Sequence, residues 1–263
     1  MAVQGCYAAA ACDCEGSLTD EHWLSEGVLR EASDDDDEPL RLLGLSWAKG
    51  VEVKLYPPSV VKKVLCERHN QALSPLDATA RRIFGALRRY QGGLIADDGP
   101  GPSEFFLASG EHLERWLLKL LWGASAAGVI SSQAGPVTAL SDDVDERALA
   151  DFLYRDGAPI DAWECCAVGG LDGPVRAAAE IAVSMQTDGS NKLVFGTANM
   201  GVVTFGFAFR PTQAGPAHEL RRHPSAVCLT DESQRIQKVV ALAWDGPPGL
   251  PCVLNLVGRV NLG

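Results

Sequence analysis

The pattern of apolar and polar positions divides the chain into a mixed first part, a helical middle and a strand-rich tail. Between residues 75 and 90, apolar residues recur at helical spacing and form one stripe: Leu76, Ala80, Ile83, Phe84 and Leu87. This spacing predicts an amphipathic helix from Pro75 to Tyr90. Ser74 is a favoured N-cap residue, and proline is favoured at the first helical position, so the helix should begin there.

Two further helices are predicted in the middle of the chain. Residues 111–124 carry apolar side chains at helical spacing: Leu113, Trp116, Leu117, Leu120 and Leu121. Their number predicts a helix in the core. Residues 145–156 form a second candidate, which Gly157 closes.

Short runs of β-branched and aromatic residues, bounded by Gly, Pro, Asn and Asp, predict strands. In the first part of the chain they cover residues 42–47 and 51–56. In the tail they cover residues 182–185, 192–195, 202–209, 226–229 and 239–244. Such a series is typical of an antiparallel sheet, and the predicted fold class is therefore α+β.

Two segments look like breaks between structured parts. Residues 92–102 are rich in Gly, Pro and Asp, and we place a domain boundary there, between a module at 1–92 and a domain at 93–263. Residues 31–38 hold six acidic side chains and precede Pro39. We interpret this run as a solvated loop, with a bound divalent cation as the alternative.

The composition favours a cytosolic protein with reduced thiols. The chain has 263 residues, of which 46% are hydrophobic, and no apolar run reaches membrane-spanning length. Its first residues show no secretion signal. Eight cysteines at scattered spacings in a chain of this length do not suggest a disulfide scaffold. Four of them lie in apolar surroundings and are expected to be buried: Cys165, Cys166, Cys228 and Cys252.

The net charge of −11 argues against general attraction to nucleic acid. Outside the acidic run, however, residues 1–92 hold 11 basic and 8 acidic side chains. Four arginines share one side of the predicted helix: Arg81, Arg82, Arg88 and Arg89. This side could follow the phosphate backbone of DNA or RNA, or it could simply be solvated.

The strongest chemical signal is the sequence Cys66-Glu-Arg-His69-Asn70. A cysteine and a histidine at this spacing can bind one tetrahedral zinc ion if another part of the chain supplies two more ligands. Cys12 and Cys14 are the candidates for these. Because Cys6 lies nearby, it could replace either of them.

These motifs resemble the HNH (ββα-metal) endonuclease family, in particular its treble-clef members with a structural zinc. The resemblance covers about residues 6–90, and the remainder is similar to uncharacterised bacterial proteins. It implies a zinc-stapled ββα module, held by Cys12, Cys14, Cys66 and His69, ahead of the helical segment and the antiparallel β-rich C-terminal part.

The family resemblance also implies catalytic roles for the residues beside the zinc ligands. His22 would be the general base that activates water. Glu21 or Asp20, together with Asn70, would bind Mg²⁺ or Mn²⁺, which prefer oxygen ligands. The structural alternatives are that His22 forms a hydrogen bond near the zinc and that Asn70 stabilises a local turn.

The chain departs from the family pattern at several positions. It has Cys12-x-Cys14 where the family has Cys-x-x-Cys, and His69 where a cysteine is usual. The middle Asn of the family pattern and the basic residue that follows its last cysteine pair are absent from this chain. The leading hypothesis is a metal-dependent endonuclease that acts on nucleic acid. The alternatives are a non-catalytic zinc-stabilised module, with a protein or nucleic acid bound through residues 93–263, and a component of an assembly.

Overall fold

The computed structural model describes residues 3–33, 39–42, 45–48, 51–94, 101–132, 134–155, 164–168, 181–209, 220–231 and 235–255. Most of the acidic run and of the predicted boundary segment lies outside these residues, as do positions 43 and 44 of the first predicted strand.

The described residues include five α-helices: α1 (Glu26–Ala32), α2 (Glu67–Ala72), α3 (Ser74–Leu94), α4 (Gly110–Ala126) and α5 (Glu146–Tyr154). They also include two short 3-10 turns, Tyr7–Ala11 and Pro57–Ser59. The three helices predicted in the sequence are confirmed as α3, α4 and α5.

The strands of the first half are β1 (Leu18–Glu21), β2 (Leu40–Leu42), β3 (Val53–Leu55), β4 (Lys62–Cys66), β5 (Glu104–Ser109), β6 (Ser131–Ser132) and β7 (Gly135–Pro136). Those of the second half are β8 (Glu164–Val168), β9 (Ile181–Thr187), β10 (Leu193–Met200), β11 (Val203–Ala208), β12 (Leu220–Arg222), β13 (Ala226–Thr230), β14 (Gln237–Ala243) and β15 (Cys252–Asn255).

Helix α3 has the predicted apolar stripe, but it begins differently from the expectation. All five predicted stripe residues are buried. The carbonyl of Leu73 accepts hydrogen bonds from the backbone amides of Leu76 and Asp77. Leu73 therefore takes the capping position, and Ser74 is already the first residue of the helix.

Helix α4 lies at the centre of the fold, as its apolar residues predicted. Nearly every side chain from Leu113 to Ser125 is buried, which is typical of a helix enclosed by other elements. It contacts α3 and α5, and also strands of both larger sheets. One hydrophobic cluster includes residues from Cys6 to Cys252, so the core continues across residue 92.

The sequence did not predict how the strands of the tail pair. A five-stranded sheet with the order β12-β8-β11-β10-β9 is antiparallel throughout, as expected. The second sheet has the order β15-β13-β14-β5, and its two outer pairs are parallel. The expectation of a purely antiparallel tail is wrong for this sheet, because alternation along a strand does not specify the direction of its neighbour.

Two smaller antiparallel pairs position the N-terminal residues. Strands β2 and β3 pair with each other. The predicted strand at 51–56 is confirmed as β3, whereas β2 ends at Leu42, where the other predicted strand was expected to begin, and residues 46–48 form a turn. Strand β1 pairs with β4, which places Leu18 opposite Cys66 and brings the first 20 residues to the start of α2. No helix among the described residues has both the length and the apolar character needed to span a membrane.

The packing of α4 on the five-stranded sheet can be tested at Gly196. A Cβ atom at this position of β10 would lie 2.4 Å from the Cδ2 atom of Leu121, which is fully buried. We expect Gly196→Ala to lower the free energy of unfolding by about 1–3 kcal/mol, because the core has to shift. Urea denaturation of this variant measures the change.

Gly189→Ala is the matched control. No atom lies within 4 Å of the position of its added methyl group, so its effect should stay within about 0.5 kcal/mol. Equal effects of the two substitutions would contradict the close contact between β10 and α4.

Candidate metal centre

The N-terminal segment bends back on itself and carries two cysteines to one place. Cys6 precedes the 3-10 turn at residues 7–11, and Cys14 follows it. The backbone of Cys12 at the end of this turn is left-handed, with φ of 63°. Glycines at positions 5 and 16 also have positive φ, which glycine adopts without strain. These bends return the chain so that Cys6 and Cys14 approach the same neighbour.

The second half of the group is a corner between a strand and a helix. Cys66 is the last residue of β4 and immediately precedes α2, with an extended backbone. His69 lies three residues further on, in the first turn of α2. Residues three apart on a helix face the same side, so the imidazole lies beside the Cys66 sulfur.

The four side chains have the spacing of ligands around one ion. The Nδ1 atom of His69 lies 3.2 Å from the sulfur of Cys66, 3.5 Å from that of Cys6 and 3.8 Å from that of Cys14. Tetrahedral zinc with ordinary Zn–S and Zn–N distances separates a sulfur and a nitrogen ligand by about 3.6 Å. All four ligand atoms lie within 4.8 Å of one another. Cys6, Cys14, Cys66 and His69 are therefore close enough to bind a metal ion.

The protein surroundings shift the pKa values of the Cys6 and Cys66 thiols in opposite directions. Burial raises the pKa of the Cys6 thiol to about 12, and the charge of Cys66 adds to this effect. Burial also acts to raise the pKa of Cys66, but hydrogen bonds from the backbone amides of His69 and Glu15 and from neighbouring thiols outweigh it, so the net shift is downward. The surroundings thus ease proton loss at Cys66 relative to an ordinary cysteine, while Cys6 would need a cation beside it to lose its proton.

The other ring nitrogen of His69 is held by a carboxylate. The Nε2 atom lies 2.9 Å from Oδ1 of Asp13, which also forms ion pairs with Arg68 at 3.2 Å and Arg155 at 3.5 Å. With the proton on Nε2, the lone pair of Nδ1 faces the sulfurs. A carboxylate behind a histidine ligand is common in metal sites, where it fixes the tautomer and the ring orientation.

Helix α5 is attached to the same centre. The ring of Tyr154 packs on the imidazole of His69, with 4.6 Å between ring centroids. Arg155 donates a hydrogen bond to the carbonyl of Ala11 and pairs with Asp13. The sequence analysis identified neither Asp13 nor α5 as part of the site. The Cys12-Asp13-Cys14 sequence could have suggested Asp13, since it puts a carboxylate between two candidate ligands.

The group differs in one member from the four ligands expected from the sequence. Cys14, Cys66 and His69 belong to it, and the fourth member is Cys6, which the sequence left as an alternative. Cys12 is exposed, and its thiol donates a hydrogen bond to the carbonyl of Ala10. The left-handed backbone at Cys12 is a feature that ligand spacing alone does not show.

Glu21, a candidate ligand for a catalytic ion, belongs to a buried ion-pair network. Its Oε1 atom lies 2.7 Å from the ammonium of Lys119, which is also 2.9 Å from the carboxylate of Asp77. Ser25 donates a hydrogen bond to Asp77, and the Trp116 indole donates one to Ser25. The network joins β1, α3 and α4.

The charges of this network depend on one another. Burial raises the pKa of the Glu21 carboxyl, and Lys119 opposes this rise only in part. Burial would lower the pKa of Lys119, but the charges of Asp77 and Glu21 raise it above its ordinary value. The Lys119 ammonium also donates a hydrogen bond to the carbonyl of His22. These contacts hold the Glu21 side chain in the buried network, where its role is structural.

Two of the remaining candidate catalytic residues, Asn70 and His22, also contact other residues of the chain. The Asn70 amide donates hydrogen bonds to the Thr19 hydroxyl at 2.9 Å and to the carbonyl of Asp20 at 3.2 Å. The Nε2 atom of His22 lies 3.8 Å from a carboxylate oxygen of Glu26, the first residue of α1. Among the described residues, only the cysteine–histidine group has the spacing of metal ligands.

The predicted arginine face is largely paired within the chain. Arg81 forms an ion pair with Glu31 at 3.0 Å, and Arg88 donates a hydrogen bond to the carbonyl of the same residue. Arg89 lies 3.6 Å from a carboxylate oxygen of Glu104. Acidic neighbours reduce the positive potential that would attract a phosphate backbone.

Comparison of the chain with protein-family models, with curated proteins and with solved structures finds no match. The site is therefore interpreted from its own geometry.

Paired serine substitutions test the membership of the metal group. We expect Cys6→Ser to weaken metal binding by more than about 100-fold, because loss of an outer partner alone can cost that much. Cys12→Ser should bind metal like the unaltered chain. Competition with a chelating dye measures the affinities, and the visible spectrum of the Co²⁺ form reports the number of thiolate ligands. Equal loss in both variants would contradict the assignment.

The buried ion-pair network provides a second test. Lys119→Met keeps the side-chain volume but leaves the Glu21 carboxylate without its cation, which should lower the free energy of unfolding by about 3–5 kcal/mol. Adding Glu21→Gln should restore part of the loss. Lys192→Met is the control, because Lys192 pairs with Asp142 at the surface and such pairs contribute at most about 1 kcal/mol. Urea denaturation at pH 7 compares the variants.

Proposed function

We propose that this protein is a non-catalytic binding or assembly module stabilised by a structural zinc ion. The observation that supports the proposal most directly is the composition of the metal group. Three cysteines and one histidine supply four ligands, which complete a tetrahedral zinc site. A catalytic zinc usually has three protein ligands and leaves the fourth position to water or substrate.

The position of the group supports a structural role. Its ligands come from the N-terminal turn and from the corner between β4 and α2, which are joined in sequence by about 50 intervening residues. Asp13 and Tyr154 link α5 to the same point. A metal ion bound there would hold the N-terminal turn against the start of α2, so the free energy of binding would contribute to folding.

The endonuclease hypothesis has less support from the contacts of its candidate residues. A catalytic Mg²⁺ or Mn²⁺ would need oxygen ligands open to substrate. The Glu21 carboxylate instead pairs with Lys119 inside the protein, and the amide of Asn70 binds β1. For Glu21 to bind such an ion, its carboxylate would have to leave Lys119.

A surface in the C-terminal part favours a binding or assembly role. The outer face of the four-stranded sheet carries apolar side chains on all four strands, among them Phe105, Leu107, Cys228, Val239 and Val253. Phe105 is 68% exposed and Leu107 is 61% exposed. Contiguous apolar surface of this kind is typical of regions that contact another molecule.

Metal analysis and a cleavage assay test the proposal together. We expect one zinc ion per chain, and we expect removal by a chelator to lower the melting temperature and to loosen residues 3–14 in hydrogen exchange. Supercoiled plasmid incubated with the zinc-loaded protein and Mg²⁺ or Mn²⁺ should show no nicking above background.

His22→Ala is the control for the competing hypothesis. If the unaltered protein cuts plasmid, and His22→Ala abolishes cutting while it retains zinc, then the protein is an endonuclease and the non-catalytic proposal is wrong. A chain that folds equally well without zinc would also contradict it.

A further inference from the structure

A cleft lined mainly by apolar residues lies between β3, β4 and the segments next to them. It has a volume of about 360 Å³ and is open on one side. Clefts that bind small molecules start at about 300 Å³, so a single bicyclic ring system would fit in this one. The residues that line it include Trp23, Leu45, Trp47, Lys62 and Val129.

Two tryptophans give the cleft its shape. Trp23 is buried and forms part of the inner wall, whereas Trp47 is 51% exposed at the opening. An indole that stays half exposed loses much of the free energy that burial would give it. It also presents a flat surface on which another aromatic ring can stack. A planar ring between Trp47 and the apolar floor would bury both surfaces.

A positive charge lies at the same opening. The Nζ atom of Lys62 is 5.9 Å from the centre of the Trp47 ring, within the range of a cation–π contact. Glu21 lies opposite Lys62 across the strand pair, but its carboxylate is bound to Lys119. Within the described part of the chain, no carboxylate lies at ion-pair distance from the Lys62 ammonium.

We propose that this cleft binds a planar aromatic anion. The ring would stack on Trp47 against the apolar floor of Trp23, Leu45 and Val129, and the anionic group would pair with Lys62. The inference rests on the proposed function, because it assumes that the protein is a binding module. It adds the class of ligand that one site of this module binds. A nucleotide, in which a ribose joins the nucleobase to a phosphate, and a carboxylate on a bicyclic ring share this chemistry.

The test uses 2-naphthoate as the anionic probe and naphthalene-2-methanol as its neutral counterpart. Isothermal titration of the zinc-loaded full-length chain should show 1:1 binding of 2-naphthoate. Trp47→Ala should weaken this binding at least tenfold, because it removes the stacking surface. Lys62→Gln should weaken 2-naphthoate binding about tenfold and leave naphthalene-2-methanol unchanged, since only the charged group loses a partner.

Two control variants separate this site from other surfaces. Lys63→Gln removes the adjacent charge, which does not line the cleft, and should not change binding. Leu107→Ser reduces the apolar sheet face and should also have no effect. Adenosine monophosphate and 2-naphthoate, each titrated alone and in competition, show whether the natural anion is closer to a phosphate or to a carboxylate; binding of either one supports the proposal.

The inference is wrong if neither anion binds at millimolar concentration, or if Trp47→Ala binds 2-naphthoate as tightly as the unaltered chain. It is also wrong if Lys62→Gln weakens both naphthalene probes equally. These results differ from failure of the proposed function, which appears in the zinc content and the plasmid assay and requires no ligand.

Discussion

The N-terminal half of the protein depends on the approach of three sulfurs to one imidazole. Cys6 is 63 positions from His69 in the sequence, yet its sulfur lies 3.5 Å from the imidazole nitrogen. Buried thiolates at this separation repel one another, and a buried thiol resists losing its proton, as the raised pKa of Cys6 shows. A bound cation removes both costs, so metal binding and local folding are coupled.

The metal group is connected to the core through the turn between its first two ligands. Tyr7 lies in this turn, and its ring is 4.9 Å from that of Trp122 in α4. The same helix carries Lys119, which pairs with Glu21 at the end of β1. Strand β1 is thus fixed at one end by its pairing beside Cys66 and at the other by a buried charge. This double attachment explains why Glu21, which the sequence suggested as an ion ligand, makes structural contacts here.

The three long helices and several strands could be predicted from the local pattern of the sequence. A smaller part of the metal centre could be predicted in this way. The apolar stripe of α3 and the apolar surface of α4 identified both helices, because helical periodicity can be recognised within a short stretch of sequence. The ligands Cys14, Cys66 and His69 were found from residue type and spacing. Asp13 and the partner of Lys119 were not, although a lysine within an apolar helix indicates a buried charge that needs an anion.

The sequence by itself determined the three helices α3, α4 and α5, several of the strands, and which side chains could bind a metal ion. Tertiary structure decided that Cys6, and not Cys12, joins the group, because a left-handed turn directs the Cys12 thiol elsewhere. It also decided that Glu21 meets Lys119 and that β5 runs parallel to β14. These outcomes depend on contacts between residues far apart in the chain, whose partners are selected by packing of the whole core and leave no local pattern.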